Sequence, residues 1–234
     1  ILGLGLYGTI FITPLFLAQI QDYNALQIGV TMMWFGFPQL IAVPLIVRLM
    51  KKVDLRHLVA FGCVIFAWSC LINIHMNADS GYDQLLLANF IRGIGQPFLS
   101  IPLAVMATVG IEQAQAGSAS GLYNLTRNLG GAVGIAFLAT FLSIRQQFHS
   151  SHVVENISLY NPATVERLSG LKNYFANLGA DSSLAQEQAL RAIDAIARRE
   201  SMVMAYNDAF YFVGAAFLFG ACVTYTLKPF RPQG

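Results

Sequence analysis

The chain has 234 residues, of which 56% are hydrophobic and 11% are charged, and its formal net charge is +2. An ordinary soluble domain carries about 25% charged residues, so a soluble fold of this length could not bury so much apolar surface. The composition excludes a soluble protein, and the small net charge argues against a partner that is a nucleic acid. We therefore expect an all-α integral membrane protein.

Six apolar segments are long enough to cross about 30 Å of hydrocarbon as helices. We place these predicted spans at 1–20, 29–50, 58–75, 84–109, 118–144 and 202–227. The first segment begins at Ile1 inside an apolar run and lacks the charged and cleavable regions of a signal peptide. We therefore expect a further N-terminal part of the protein to precede this chain.

Basic residues are sorted by loop, and their excess in short loops marks the cytoplasmic side. They lie between spans 2 and 3 and in the C-terminal tail, as Arg48, Lys51, Lys52, Arg56, Lys228 and Arg231. The loops after spans 1 and 3, around Asp22 and Asp79, carry none. The pattern predicts that both ends of the chain are cytoplasmic.

Span 4 carries a stripe of polar residues at i, i+3, i+7 and i+11, a spacing that puts them on one helix face. These residues are Asn89, Arg92, Gln96 and Ser100. A polar face at membrane depth is expected to line water or a substrate pathway. The alternative is a structural Arg92 that binds carbonyl groups or an acidic residue outside this chain.

Span 5 combines small residues with an arginine. Glycines at 117, 121, 130 and 134 allow close approach of a neighbouring helix. Arg127, with Asn124 one turn before it, lies about two turns inside the cytoplasmic start of this span. Arg127 is either an electrostatic contact to the substrate path or to a mobile element, or an interfacial anchor whose charge reaches the membrane surface.

The long connection at 145–201 is too polar to be a span. Asn161 followed by Pro162 is a favourable helix start, and Ser183 with Gln186 fits the capping box of a second helix. We expect a small extracytoplasmic helical hairpin, which either caps the bundle or docks a partner protein.

Asp208 is the only carboxylate that we place inside a span, near the outer end of span 6. An acid within the membrane is a candidate for proton transfer. Its shallow position also fits a residue at the membrane interface, so both interpretations stay open.

Several short motifs carry no function in this context. The G-x-G-x-x-G match at 3–8 lacks a βαβ unit, and His149 with His152 lacks the further ligands of a zinc site. The glycosylation sequon at 156–158 matters only in a eukaryotic secretory pathway. We find no nucleophile paired with a base, so we expect a protein that is not an enzyme and has no metal or cofactor.

The segment at 116–124, A-G-S-A-S-G-L-Y-N, followed by Arg127, Gly130 and Gly131, resembles the fourteen-span drug:proton antiporters of the major facilitator superfamily, the EmrB/QacA type. The loop K-K-V-D-L-R at 51–56, with Lys51, Lys52, Asp54 and Arg56, is similar to the second-half copy of that superfamily's cytoplasmic loop motif. The L-Y-N-P-A run at 159–163 and K-P-F at 228–230 are similar to the EmrB subgroup.

The resemblance implies the six-helix C-terminal half of a major facilitator fold. We divide it into spans 1–5 at 1–144, an extracytoplasmic loop at 145–201, and the last span with a cytoplasmic tail at 202–234. Spans 1 and 4 would line the central cavity, which adds Tyr7, Thr9 and Thr13 to the span 4 stripe. Spans 2 and 5 would meet the other half, which fits the small and polar residues of span 5: Gly117, Gly121, Asn124, Arg127, Gly130, Gly131 and Gly134.

The implied function is export of amphipathic, drug-like compounds in exchange for protons, driven by the proton motive force in a bacterial inner membrane. Proton-carrying acids are expected in the other half. Besides substrates and lipid, the implied partners are a periplasmic adaptor and an outer-membrane channel. The alternatives are transport of another small solute, a membrane subunit that does not transport, and a membrane enzyme.

Overall fold

The computed structural model describes residues 1–112, 114–156, 162–179 and 181–226. Within these ranges the ordered elements are all helical, as the composition predicted. They comprise α1 Leu2–Ile20, α2 Ala25–Gly36, α3 Gln39–Leu49, α4 Leu55–Ile72, α5 Tyr82–Thr108, α6 Ala116–Asn156, α7 Pro162–Asn177 and α8 Ser182–Thr224, with a 3-10 turn at Asn73–His75.

Six segments in the described part of the chain are long and apolar enough to cross a membrane: Leu2–Ile20, Ala25–Leu49, Leu55–His75, Tyr82–Thr108, Ala116–Val153 and Ser182–Thr224. This confirms a multi-pass membrane protein with six spans. It leaves the orientation of the two ends as a prediction.

The second span is two helices rather than one. Asn24 caps α2 by accepting from the Gln27 backbone N–H, and the Gln27 side chain accepts from the Asn24 N–H in return. The helix then breaks before Pro38, because proline has no N–H to donate and its ring hinders the preceding turn. α3 begins at Gln39 and contains Pro44. Together α2 and α3 form the second span.

The last two spans extend well beyond the predicted 118–144 and 202–227. α6 has 41 residues and α8 has 43, which at 1.5 Å per residue is about 60–65 Å, twice the hydrocarbon thickness. The second helix of the expected hairpin is therefore the start of α8 itself. Asp181, not Ser183, is the N-cap, and its carboxylate accepts from the Leu184 N–H at 2.8 Å.

The core of the bundle is aromatic and lies among α1, α4 and α8. Phe66 and Phe217 pack with ring centroids 4.3 Å apart, and Phe16 meets Tyr206 edge to face at 5.3 Å. All four rings are buried. α5 packs along α4, and α6 packs against both α1 and α8.

Candidate functional site: a buried arginine in the half-bundle

Arg92 of α5 lies in the centre of the bundle, with 2% of its surface exposed. Its Nη1 donates to Thr13 Oγ1 of α1 at 3.1 Å, and its Nε donates to Ser69 Oγ of α4 at 3.4 Å. The guanidinium therefore joins three helices through two hydroxyl groups. Among the described residues, no carboxylate forms an ion pair with it.

Two aromatic rings also contact this guanidinium. Its central carbon lies 5.9 Å from the ring centroid of Phe66 and 5.5 Å from that of Phe210. A cation over an aromatic face is attracted by the ring quadrupole, and more strongly where water is excluded. Phe210 adds α8, so the Arg92 side chain links its own helix, α5, to three others.

Asn89, one turn before Arg92, is also fully buried. Its Nδ2 donates to the Thr31 carbonyl of α2 at 3.2 Å. Asn89 Oδ1 and Arg92 Nη2 have no hydrogen-bond partner among the residues that the structure describes. The buried end of the α5 stripe thus holds unpaired acceptor and donor groups within one helical turn.

The structure divides the predicted cavity-lining residues into two groups. Gln96 and Ser100 stay partly exposed, and the Ser100 hydroxyl donates to the Gln96 carbonyl. Asn89 and Arg92 are enclosed by α1, α2, α4 and α8, so they do not line an open face of this half. The sequence placed all four on one helix face but could not show that this face curves from the outside of the bundle into its core.

The three predicted residues of α1 also differ in their surroundings. Thr13 is buried against Arg92, and the Thr9 hydroxyl is buried and donates to the Gly5 carbonyl of its own helix at 2.9 Å. Tyr7 is partly exposed, and its hydroxyl donates to Asn128 Oδ1 of α6 at 2.9 Å. Of the three, Tyr7 alone keeps a surface that a substrate could reach.

Three of the five α6 glycines pack against α1. A side chain built at Gly131 would collide with the Tyr7 ring, and one built at Gly134 would meet Leu4. A Cβ atom at Gly130 would lie 3.8 Å from the Cα of Gly3. The close helix approach that the sequence predicted is thus seen against α1, where Gly131 and Gly134 need their small size. A contact of these glycines with another half stays a prediction.

The other end of α6 is open. A Cβ atom added at Gly117 or Gly121 would meet no neighbouring atom within 4 Å among the described residues, and Asn124 is exposed. Arg127 is partly buried, and its carbonyl oxygen lies against Gly3 of α1. The face at Gly117, Gly121 and Asn124 is therefore one exposed part of α6 that could meet another helical surface.

Asp208 is not isolated. Its Oδ2 accepts from Arg145 Nε of α6 at 2.7 Å and lies 2.6 Å from His149 Nε2. Arg145 also stacks over the Phe148 ring at 4.7 Å. Sequence reasoning missed this cluster, although Arg145 and His149 are spaced i and i+4 and therefore share one face of α6.

The loop motif at 51–56 has a structural role at the start of α4. Asp54 is the N-cap, and its carboxylate accepts from the Arg56 backbone N–H at 3.0 Å and lies 3.5 Å from the Arg56 guanidinium. Lys51 and Lys52 are exposed in the turn between α3 and α4.

The part of the chain that the structure describes holds no group of three metal-ligating side chains. The runs at 159–161 and 228–230, the tail residues Lys228 and Arg231, and the sequon beyond residue 156 lie outside the described residues.

Comparison with known proteins identifies relatives for most of the chain. The family model for the Major Facilitator Superfamily matches residues 1–146. The colistin resistance protein EmrB of Acinetobacter baumannii is 29% identical over 208 residues, which are 89% of this chain and 40% of that protein.

Two further relatives cover still more of the chain. The multidrug export protein EmrB of Escherichia coli is 25% identical over 95% of this chain and 42% of its own length. The fatty acid resistance protein FarB of Neisseria gonorrhoeae is 24% identical over 97% of this chain and 44% of its own length. The chain thus spans about two fifths of the length of these relatives.

Proposed function

The chain belongs to the Major Facilitator Superfamily, and we propose that it forms the C-terminal half of a proton-coupled exporter of drug-like compounds. Two observations support the proposal together. The chain forms a six-span bundle, and it matches about two fifths of the length of relatives that are named for multidrug export and colistin resistance. In such transporters, two six-helix halves rock about a site near the membrane midplane.

The proposed cavity surface is the partly exposed side of α1 and α5. Tyr7, Gln96 and Ser100 offer two hydroxyls and an amide on otherwise apolar helices. A few polar groups on an apolar wall are typical of sites for drug-sized ligands. The open face at Gly117, Gly121 and Asn124 supports the proposed contact with the other half.

We place the proton-carrying acids outside this chain. Asp208 is the one acid within the apolar part of α8, and an arginine and a histidine already bind its carboxylate. The driving force would be the proton motive force, with no cofactor. The alternatives are a transporter of another solute and a subunit that does not transport.

The proposed location is a bacterial inner membrane, with both ends of this chain in the cytoplasm. α7 and the first half of α8 then project on the outer side. α7 packs along α8, which supports a rigid docking surface for a periplasmic adaptor that leads to an outer-membrane channel.

The test is proton movement in liposomes that contain the full-length protein and a pH-sensitive dye. Adding a transported compound should move protons out of acid-loaded liposomes, and an uncoupler should abolish the signal. A panel with colistin and a fatty acid, which are named for two of the relatives, and with an aromatic cation separates three classes of candidate substrate. Compound uptake that moves no protons would contradict coupling, and absence of any uptake would favour the subunit.

A matched pair of variants tests the cavity surface. Gln96→Ala should change the rank order of transported compounds, because its amide is exposed on the proposed wall. Gln39→Ala is the control, since the Gln39 amide donates to the Phe35 carbonyl at the break in the second span. Equal transport profiles for both variants would remove Gln96 from the substrate path.

A further inference from the structure

Three asparagines lie one helical turn from Arg92 or from a residue that contacts it, all toward the Ile20 end of the bundle. Asn73 follows Ser69 by four residues at the end of α4, Asn207 precedes Phe210 by three on α8, and Asn89 precedes Arg92 by three on α5. We refer to Asn73, Asn89 and Asn207 as the amide layer.

The direction of each helix puts the three residues on the same side of Arg92. Arg199 of α8 donates to the Ile20 and Ala78 carbonyls, so α8 enters the bundle at the Ile20 end and α4 leaves there. The Tyr82 N–H, at the start of α5, bonds to Tyr23 Oη at that end as well. Three or four residues of helix span about 5 Å, so the amide layer lies about one turn beyond the guanidinium.

Each member of the amide layer has one buried polar atom that no described residue satisfies. These atoms are Asn73 Nδ2, Asn89 Oδ1 and Asn207 Oδ1. Asn89 and Asn207 hold their other amide atom fixed, because each Nδ2 donates to a backbone carbonyl, of Thr31 and of Met76. Turning either amide over would lose an existing hydrogen bond.

Arg92 Nη2 completes the set, so two donors and two acceptors are enclosed by helices that pack together. Buried polar groups in proteins are nearly always paired, and ordered water supplies the partner where the protein does not. A water molecule offers both donors and acceptors and typically makes about three such bonds in a protein interior. Water therefore matches this set better than a cation or an anion, which would satisfy one kind of group only.

We propose that Arg92 and the amide layer enclose a hydrated pocket inside this half of the transporter, separate from the cavity between the halves. The bound water solvates the guanidinium and keeps it charged at membrane depth. Arg92 is then a fixed, hydrated positive charge within the half, and it does not bind substrate directly. The pocket is a property of this bundle and does not depend on transport.

The chain contains an internal control for this proposal. Cys70 follows Ser69, and Phe210 contacts the guanidinium; both have 0% exposure. Cys63 and Phe217 lie two turns away on the same two helices, with 4% and 1% exposure, and line a mostly apolar pocket of about 220 Å³ that is not fully enclosed. Apolar walls offer few partners to hold an ordered water molecule. The two pairs thus match in residue type and burial and differ in the polarity around them.

Radiolytic footprinting of the full-length protein in nanodiscs tests the pocket, because a brief X-ray pulse generates hydroxyl radicals from bound water. Cys70 should be oxidised several-fold faster than Cys63, and Phe210 several-fold faster than Phe217. Equal protection of both pairs would overturn the proposal. Equal oxidation of both pairs would also overturn it, since the labelling would then follow open space and not polar groups.

A variant checks that the polar groups hold the water. In Arg92→Met with Asn207→Leu, oxidation of Cys70 and Phe210 should fall to the rates of Cys63 and Phe217. Unchanged rates in a variant that stays monodisperse would contradict the assignment of these groups. The wild-type comparison decides the proposal if the variant does not fold.

Discussion

A single carboxylate, Asp208, joins the last two spans by bonding to an arginine and a histidine of α6. Arg145 approaches at 2.7 Å and His149 at 2.6 Å, and both lie on α6. About a third of the Arg145 and Asp208 side chains is exposed, so water and dissolved ions partly screen the attraction between the two charges. This position favours a structural contact at the membrane boundary over proton transfer through the membrane.

The strength of the pair follows from its exposure. A double-mutant cycle of Arg145→Gln and Asp208→Asn, measured by unfolding in detergent, should give a coupling of about 0.5–1 kcal/mol, typical of partly exposed pairs. It should weaken in high salt, because dissolved ions screen exposed charges. If Asp208→Asn abolished proton movement without changing stability, Asp208 would instead be a proton-carrying residue.

Arg198 and Asp194 provide the matched control. They form an i,i+4 pair at 2.8 Å on α8, with side chains 69% and 56% exposed. The same cycle on this pair should give a smaller coupling, because both groups are largely solvated. If the coupling energy of this control pair were as large as that of Arg145 and Asp208, burial would not determine the strength of these ion pairs.

At the scale of elements, α1 and α6 approach each other through glycines on both helices. Side chains built at Gly3, Gly131 or Gly134 would meet main-chain or ring atoms of the other helix. Lipid gives little hydrophobic drive for helix association, so such close contact is a main source of stability. The glycines at the other end of the same helix, Gly117 and Gly121, have no neighbouring atom within 4 Å among the described residues. Only one end of α6 therefore needs glycine for packing within the bundle.

This division predicts opposite outcomes for the same substitution. Gly131→Val should lower the free energy of unfolding by about 1–3 kcal/mol, the usual cost of overpacking, because the new methyl groups collide with Tyr7. Gly121→Val should leave stability within about 0.5 kcal/mol, as expected of open sites, yet reduce transport by the full-length protein if this face meets the other half. Unfolding in detergent and uptake in liposomes measure the two effects, and equal stability losses would contradict the division.

The start of α8 depends on a carboxylate whose charge is sensitive to pH. The Leu184 N–H and the Ser183 hydroxyl donate to Asp181, and these bonds hold the pKa of this carboxyl below its usual value. A lowered folded-state pKa means that the stabilisation is present above the unfolded pKa and is lost as the pH falls through the folded one. The cap therefore weakens only in acid.

Hydrogen exchange at Leu184 measures this effect. Protection of its amide, corrected for the intrinsic pH dependence of exchange, should fall on acidification below the usual pKa of aspartate. Asp181→Ala should abolish the protection at neutral pH, whereas Ser183→Ala should keep most of it. Loss of protection in Ser183→Ala alone would restore the capping box that the sequence predicted.

At the scale of the whole molecule, the sequence predicted the helical class and the number of spans, because apolar runs of membrane length have few other structures open to them. It did not predict the break before Pro38. It also did not predict that α8 continues through residue 201, since an amphipathic helical segment can run into an apolar one without a change in local helix propensity. The sequence also left open whether Arg92 lines a cavity or has a structural role. Its hydrogen-bond partners, Thr13 and Ser69, are 79 and 23 residues away in sequence, so no local pattern could identify them. The partners of a polar stripe depend on tertiary packing that no local pattern contains.

The orientation of the molecule in the membrane remains a prediction from the distribution of basic residues. Cysteine labelling tests it on the full-length protein in which Cys63, Cys70 and Cys222 are replaced by serine. Lys52 is exposed in the turn before α4, and Glu187 is exposed on the projecting part of α8. An excess of basic residues in short loops marks the cytoplasmic side, which puts Lys52 inside and Glu187 outside. A membrane-impermeant maleimide applied to intact cells should label Glu187→Cys and leave Lys52→Cys unlabelled until the membrane is permeabilised. The reverse pattern would put the projecting helices in the cytoplasm and remove the basis for a periplasmic adaptor.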